Sequence, residues 1–281
     1  MDRLSGVFKH FSPSARVFYS GTECRHAAFE DEQSGGHIHI LKSGGLILTC
    51  PDGESITVTE PSVIFFPRST THAFEACGND NLELICAAID LNSRVSNPFY
   101  DALPNIIVVP YRDLDGLEPA LKVLFYEAFG DHCGRQVALD SLATYFLVIL
   151  LRHLIEANVF SVGVLAGMGD SKLIKALMAI HERPEHTWSL ERLAETCGMS
   201  RARFASHFKA VIGSTPMDYL NSWRMGVVQS LLKEGYAIKQ IAPMVGYQSA
   251  AAMTRTFKSC IGVPPSEWLD SFKQQSEQLS L

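Results

Sequence analysis

Between residues 15 and 90 the apolar positions come in short runs broken every few residues by turn-forming groups. "HIHIL", "GLILTC", "SITVTE", "SVIFFP", "HAFEA" and "LELICAAIDL" are separated by Gly-Gly, Pro-Asp-Gly, Glu-Pro, Pro-Arg-Ser and Gly-Asn-Asp. Many short strands with frequent turns predict a small barrel or sandwich. From about residue 114 the spacing becomes helical. "LEPALKVLFYEAF" (117–129) and "VALDSLATYFLVILLRHLIEA" (137–157) read as two long helices meeting near Cys133 and Gly134. The second is apolar on more than one face, which predicts packing against both the barrel and another chain. Its most apolar run, "LATYFLVILL" (142–151), is about half of the ~20 residues that a membrane span requires, so no membrane role is expected. The stretch "NVFSVGVLAGMG" (158–169), small and uncharged, reads as a connection between domains. The expected division is a first domain over 1–160 (barrel about 15–90, helices about 114–157), a linker over 161–170 and a second domain over 171–281.

The second domain is one unit written twice. "SLERLAETCGMSRARFASHFKAVIGSTPMDYL" (189–220) can be laid over "AIKQIAPMVGYQSAAAMTRTFKSCIGVPPSEWL" (237–269). Leu193-Ala194 falls on Ile241-Ala242, Gly198 on Gly246, Phe208-Lys209 on Phe257-Lys258, Gly213 on Gly262, Pro216 on Pro265 and Leu220 on Leu269. One extra residue after the second glycine is the sole offset. A repeat of this kind is structural evidence in itself. Each copy predicts helix, glycine turn, helix: Ser189 and Ser200 stand as caps, and Phe204 and Phe208, four apart, mark a buried face. Arg201, Arg203 and His207 fall on the other faces of that helix. "NSWRMGVVQSLLKEG" (221–235) predicts an amphipathic helix joining the copies.

Charge sharpens this division. The net charge is −6, yet residues 1–170 hold 11 Lys and Arg against 21 Asp and Glu, while residues 171–281 hold 13 against 9. An acidic front and a mildly basic back imply different partners. Hydrophobic content of 47% with 19% charged residues describes a core-forming chain and excludes a disordered one. Seven cysteines without zinc-type spacing predict a reducing cytoplasm, and "MDRLSGVFKHFSPSARVF" has no continuous apolar core of the secretory kind.

The phrases "SLERLAETCGMSRARFASHFK", "GSTPMDYLNSWRM" and "GYQSAAAMTRTFKSCIGVPPSEW" resemble the DNA-binding domain of the AraC/XylS family of bacterial transcription regulators. "VIFFPRSTTHAF", "LELICAAIDL" and "LDSLATYFLVILLRHL" are similar to the cupin-type N-terminal domain of one branch of that family. The resemblance implies an α+β two-domain chain: a cupin-like β-barrel followed by helices, then an all-α domain with two helix-turn-helix motifs joined by a linker helix. It implies a sequence-specific regulator of promoter DNA, acting as a homodimer with RNA polymerase, in which the barrel senses a small molecule or an oxidant. It implies no catalysis. A regulator controlled by a protein partner, or a cupin enzyme with a helical appendage, are the rival readings.

In the family the outward positions of the recognition helices read bases. Here they fall on Ala202, Ala205 and Ser206 in the first copy and on Ala250, Ala251, Thr254 and Arg255 in the second. Alanine can touch a thymine methyl but cannot form a bidentate bond to a base edge. Arg255 is therefore the expected chief reader, supported by Arg201, Arg203 and Thr254. Lys209, Lys258, Lys239 and the helix N-terminus at Ser249 are expected at phosphates.

In the barrel, His37 and His39 share a strand face, and His72 follows Pro67 on a later hairpin. The three resemble the histidines of the cupin metal site, which implies a possible zinc or copper ion. The carboxylate that such a site adds would fall at Ser43 or Gly44, and Ser69 replaces the glycine of the family's turn. The alternative is a polar, hydrogen-bonded or ligand-lining interior. Cys24, beside Arg25 and His26, and Cys86, in an apolar strand, are the candidates for a redox switch, whereas Cys197 and Cys260 stand at core-like helical positions.

Overall fold

The computed structural model describes residues 2–22, 26–29, 35–50, 53, 55–77, 82–91, 103–114, 116–157, 160 and 162–278. The chain divides into two compact units, one holding the described residues between 12 and 93 and between 103 and 154, the other those up to Phe11 and from Ile155 onward.

Within the first unit nine strands form two antiparallel sheets among the described residues. β1 (Ser14–Gly21), β8 (Glu83–Asp90), β3 (Gly36–Ser43), β6 (Ser62–Phe66) and β9 (Ile107–Pro110) lie side by side in that order. The second sheet runs β2 (His26–Phe29), β7 (His72–Ala76), β4 (Leu46–Thr49) and β5 (Ser55–Val58). Leu41, Leu46, Leu48, Val58, Ile64, Phe66, Phe74, Leu82, Leu84 and Cys86 make one apolar cluster, the product of the alternation in the sequence.

Two helices follow, α2 (Glu118–Ala128) and α3 (Arg135–Glu156). α3 is long and apolar enough to span a membrane by length and composition, but it carries a polar row at every fourth residue. Asp140 Oδ1 accepts from Val17 N (2.8 Å), Thr144 Oγ1 accepts from Ala15 N (3.0 Å), and Gln136 Nε2 donates to Val17 O (2.7 Å). β1 is an edge strand, and these side chains satisfy main-chain groups that an open edge leaves unpaired.

The second unit is helical. It contains α1 (Ser5–Phe8), α4 (Val164–Gly169), α5 (Leu173–Glu182), α6 (Leu190–Thr196), α7 (Arg201–Ile212), α8 (Pro216–Lys233), α9 (Ile238–Met244), α10 (Ala250–Ile261) and α11 (Pro265–Gln278). Three expectations need correction here. The "linker" contains α4, whose Val164, Leu165 and Met168 are buried. Its small residues serve close packing: a Cβ on Gly167 would stand 2.3 Å from Ile212 Cδ1. The joining helix starts at Pro216, not at 221, because Thr215 Oγ1 accepts from Asp218 N (3.3 Å) and proline suits the first helical turn. Finally, residues 2–11, expected with the barrel, pack into the helical unit. Val7 is fully buried, Phe11 meets Trp223 edge-on with centroids 5.0 Å apart, and Ser230 Oγ donates to His10 O (2.8 Å).

Candidate nucleic-acid interface

The repeat in the sequence becomes a repeat in space. In the first copy Ser189 Oγ accepts from Arg192 N (3.3 Å), the chain turns at Gly198 (φ +62°), and Ser200 Oγ accepts from Arg203 N (3.4 Å) to open α7. In the second copy Gln240 Oε1 accepts from Ala237 N (3.1 Å), the turn falls at Gly246 (φ +81°), and Ser249 Oγ accepts from Ala252 N (3.2 Å) to open α10. Both second helices stop at a left-handed glycine, Gly213 (φ +88°) and Gly262 (φ +93°), where a side chain is strained.

Equivalent positions face inward in both copies. Phe204 and Phe208 of α7, and Met253 and Phe257 of α10, are fully buried. Sealing such a side chain contributes about 1.5–3 kcal/mol each. The tryptophans belong to packing as well: Trp223 is fully buried, Trp188 is buried, and Trp268 stacks on Phe272 at 5.5 Å.

The outward positions differ. On α7, Arg201, Ala202, Arg203, Ser206 and Lys209 are exposed and Ala205 is half-buried. On α10, Ala251, Arg255 and Lys258 are exposed, with Ala250 and Thr254 half-buried. Lys239, in the first turn of α9, is exposed too. Two polar residues of α7 are already engaged. Arg201 Nη1 lies 3.0 Å from Glu191 Oε1 at the start of α6. His207 Nε2 lies 2.8 Å from Asp170 Oδ2 and is turned toward the start of α5 rather than outward. Asp170 also accepts from the amides of Lys172 and Leu173, both at 2.9 Å. Burial pushes its carboxyl up, but the hydrogen bonds from Leu173, Lys172 and His207 outweigh that and hold it below the ordinary range. Among the described residues no ion pair engages Arg203, Arg255, Lys209 or Lys258. Asp170, Glu191 and Thr215 were not singled out from sequence, although an aspartate before "SKLIKAL" is an ordinary helix-start signal.

Two exposed helices with serine-capped N-termini, each carrying a guanidinium and a lysine at its surface, can meet the phosphates and groove edges of duplex DNA. Residues 193–271 match the family model described as a helix-turn-helix domain, and residues 2–156 match the one described as cupin. A putative AraC-like transcription regulator of Streptomyces lividans is 32% identical over 73% of this chain and 69% of its own length. The chain belongs to the AraC-like transcription regulators. An uncharacterized HTH-type transcriptional regulator of Haemophilus influenzae is 28% identical over 86% of this chain and 88% of its own. The HTH-type transcriptional regulator AlkR of Acinetobacter baylyi is 27% identical over 98% and 100%. In this chain a cupin domain precedes the helix-turn-helix domain.

Inside the cupin domain the three histidines come together. His37 is half-buried, while His39 and His72 are buried, with ring centroids 5.0–6.0 Å apart. Nδ1 of His72 lies 2.7 Å from Thr70 O, so it carries the proton and donates. His72 Nε2 is then an acceptor, and His39 Nε2–H, 2.8 Å away, donates to it. Burial lowers the basicity of all three, with His72 brought to about 4, so the cluster is uncharged at neutral pH. His39 lies edge-on to Phe66 and Phe74, and His72 stacks on Phe66 at 4.0 Å. The two Nε2 atoms that would face a cation are bonded to each other. Among the described residues no three His, Cys, Asp or Glu side chains converge as metal ligands.

Cys86 is 1% exposed within the apolar cluster, paired in register with His39 on one side and Tyr19 on the other. Its proposed partner Cys24 lies outside the described residues. Cys197 is buried, as expected, but Cys260 is exposed on α10, a correction to its core-like reading. Its spacing continues the strip of Met253 and Phe257, but it falls in the last turn of α10, just before the helix stops at Gly262.

Proposed function

We propose that this regulator binds the duplex upstream of its target promoters in a sequence-specific way, with Arg255 as chief base reader and Arg203 in support. Lys209, Lys258 and Lys239 hold phosphates, and Ala202, Ala205, Ser206, Ala250, Ala251 and Thr254 give close, undemanding contact with the groove. The observation that carries this is the contrast on α10, where Arg255 alone among the outward residues is long and forked. Arg201 joins after exchanging Glu191 for phosphate. With so few readers, affinity rests mainly on phosphate contacts and DNA shape.

The cupin domain is read as the receiver of a signal, not as a catalyst. A small molecule bound beside the neutral His37, His39 and His72 cluster is favoured over an oxidant, because the thiol of Cys86 is shut inside the apolar cluster. A second copy of the chain covers the outer face of α3 and α2, where Val137 (74% exposed), Tyr145 (56%) and Tyr126 (70%) stand in the open. In this reading the protein acts in the cytoplasm as a homodimer working with RNA polymerase.

The test is fluorescence anisotropy of labelled upstream DNA with purified protein, run beside light scattering. The reading expects salt-sensitive binding that prefers this DNA over a scrambled duplex, and a dimer that Tyr145→Glu splits. Equal binding to both duplexes would remove the sequence-specific part. A monomeric wild type would remove the dimer.

A further inference from the structure

The two glycine turns are equivalent in sequence but not in surroundings. A Cβ added at Gly198 would meet nothing within 4 Å, whereas one at Gly246 would stand 2.6 Å from Glu185 O and 2.7 Å from Arg224 Nη2. The turn of the second motif is thus pressed against the segment that leads into the first. That segment, between α5 and α6, is tied to the first motif by Arg192 Nη1, which donates to Thr187 O (2.9 Å), and is braced internally by Trp188 Nε1, which donates to Arg183 O (3.0 Å).

Arg224 sits at the meeting point. It projects from the middle of α8, half-buried, and its fork donates through Nε to Pro184 O (2.8 Å) and through Nη2 to His186 O (2.9 Å). Its guanidinium carbon lies 5.6 Å from the ring centre of Tyr247, the residue after Gly246. One side chain on the joining helix therefore holds the entry to the first motif and the turn of the second. Two main-chain carbonyls at fixed positions require a planar fork, and a lysine ammonium cannot reach both in the same geometry.

We propose that Arg224 is a positioning residue that locks the two helix-turn-helix motifs at one separation, so that α7 and α10 engage DNA together. The inference rests on the DNA-binding reading. Two linked binding elements gain affinity over one only while their geometry permits both to engage. Arg224 touches no base; it determines whether the second helix arrives in register with the first.

The experiment compares full-length wild type with Arg224→Met and Arg224→Lys by hydroxyl-radical footprinting and affinity on the upstream duplex. Amide hydrogen exchange is measured on the same proteins without DNA. Arg224→Met is expected to keep protection of one groove segment, to lose the other, and to bind roughly 100-fold more weakly, the low end of a lost second engagement. Arg224→Lys should fall between. Exchange should rise together at 184–188 and 246–249, on both sides of the junction. Because Arg224→Met could unfold the unit, Gly246→Ala and Gly198→Ala form a second pair. Both place alanine at positive φ, but only Gly246→Ala pushes the junction apart, so only it should mimic the footprint change. Arg224→Met with the full footprint and wild-type affinity would overturn the proposal, as would matching effects of the two alanines. If wild type protects no DNA, the DNA-binding reading fails, and exchange confined to one side of the junction would overturn the positioning role separately.

Discussion

The first and second helix-turn-helix motifs are alike on the inside and unlike on the outside. Phe204 and Phe208 correspond to Met253 and Phe257, all fully buried, and the serine caps and terminal glycines coincide. Outside, α7 presents Arg201, Arg203, Ser206 and Lys209, while α10 presents alanines, Thr254, Arg255 and Lys258. Inward positions answer to packing, which is the same problem twice. In the proposed reading outward positions answer to the DNA, and there the two helices differ: one is richly charged and one carries a single arginine.

That comparison can be broken at its core first. Phe208→Ala and Phe257→Ala should each cost about 3–5 kcal/mol in urea unfolding, by transfer and cavity terms together. A near-neutral result for one would show that its copy is not packed as described. Smaller effects belong to the surface. Arg255→Ala should lose ~1–3 kcal/mol of discrimination between upstream and scrambled DNA, and Arg203→Ala less, because α7 has other charged residues to hold it in place. The caps come next: Ser200→Ala and Ser249→Ala should each lower stability by about 1 kcal/mol, measured as paired shifts in the unfolding midpoint. Unequal shifts would mean that the caps are not equivalent. The smallest change is at the Glu191–Arg201 pair, which is exposed at both ends. Glu191→Ala should leave the unfolding midpoint nearly unchanged, yet strengthen DNA binding slightly by releasing Arg201.

Acid separates the copies in another way. The second copy has no histidine, whereas ahead of the first copy His181, on α5 and under α8, is buried and accompanied by His10. Burial lowers His181 to about 3 and His10 to about 4, from an ordinary 6.5. The unfolded chain therefore binds more protons than the folded one below pH 6.5, so stability falls as pH drops from 6.5 toward 4 and is fully present above that window. Amide protection should weaken in α5 and α7 before α10. Simultaneous loss in all three would mean that the copies share one fate.

Much of this organisation was legible beforehand because it rests on local periodicity: the strands, the two long helices, the duplicated motif and its caps. What was not legible depends on contacts distant in sequence. "VLAGMG" looks like a linker, yet its glycine is what lets α4 press on Ile212 and Leu177. Nothing near Phe11 announces Trp223 as its neighbour. Strand spacing put His37 and His39 on one face and the cupin resemblance added His72, but the tautomers and the His39–His72 bond depend on Thr70 O, which no spacing reveals. Arg224 looked like one charge on an amphipathic helix, because its partners are main-chain carbonyls some forty residues earlier.

The central claim is that a sparse pair of helices reads DNA, chiefly through Arg255. Its most direct test is the affinity of wild type and Arg255→Ala for the upstream duplex and a scrambled one, each at two salt concentrations. The account predicts that wild type prefers the upstream duplex, that Arg255→Ala loses most of that preference, and that the variant's affinity for scrambled DNA falls only slightly, with a salt slope smaller by no more than about one unit. An unchanged preference in Arg255→Ala would contradict it and assign the reading to α7.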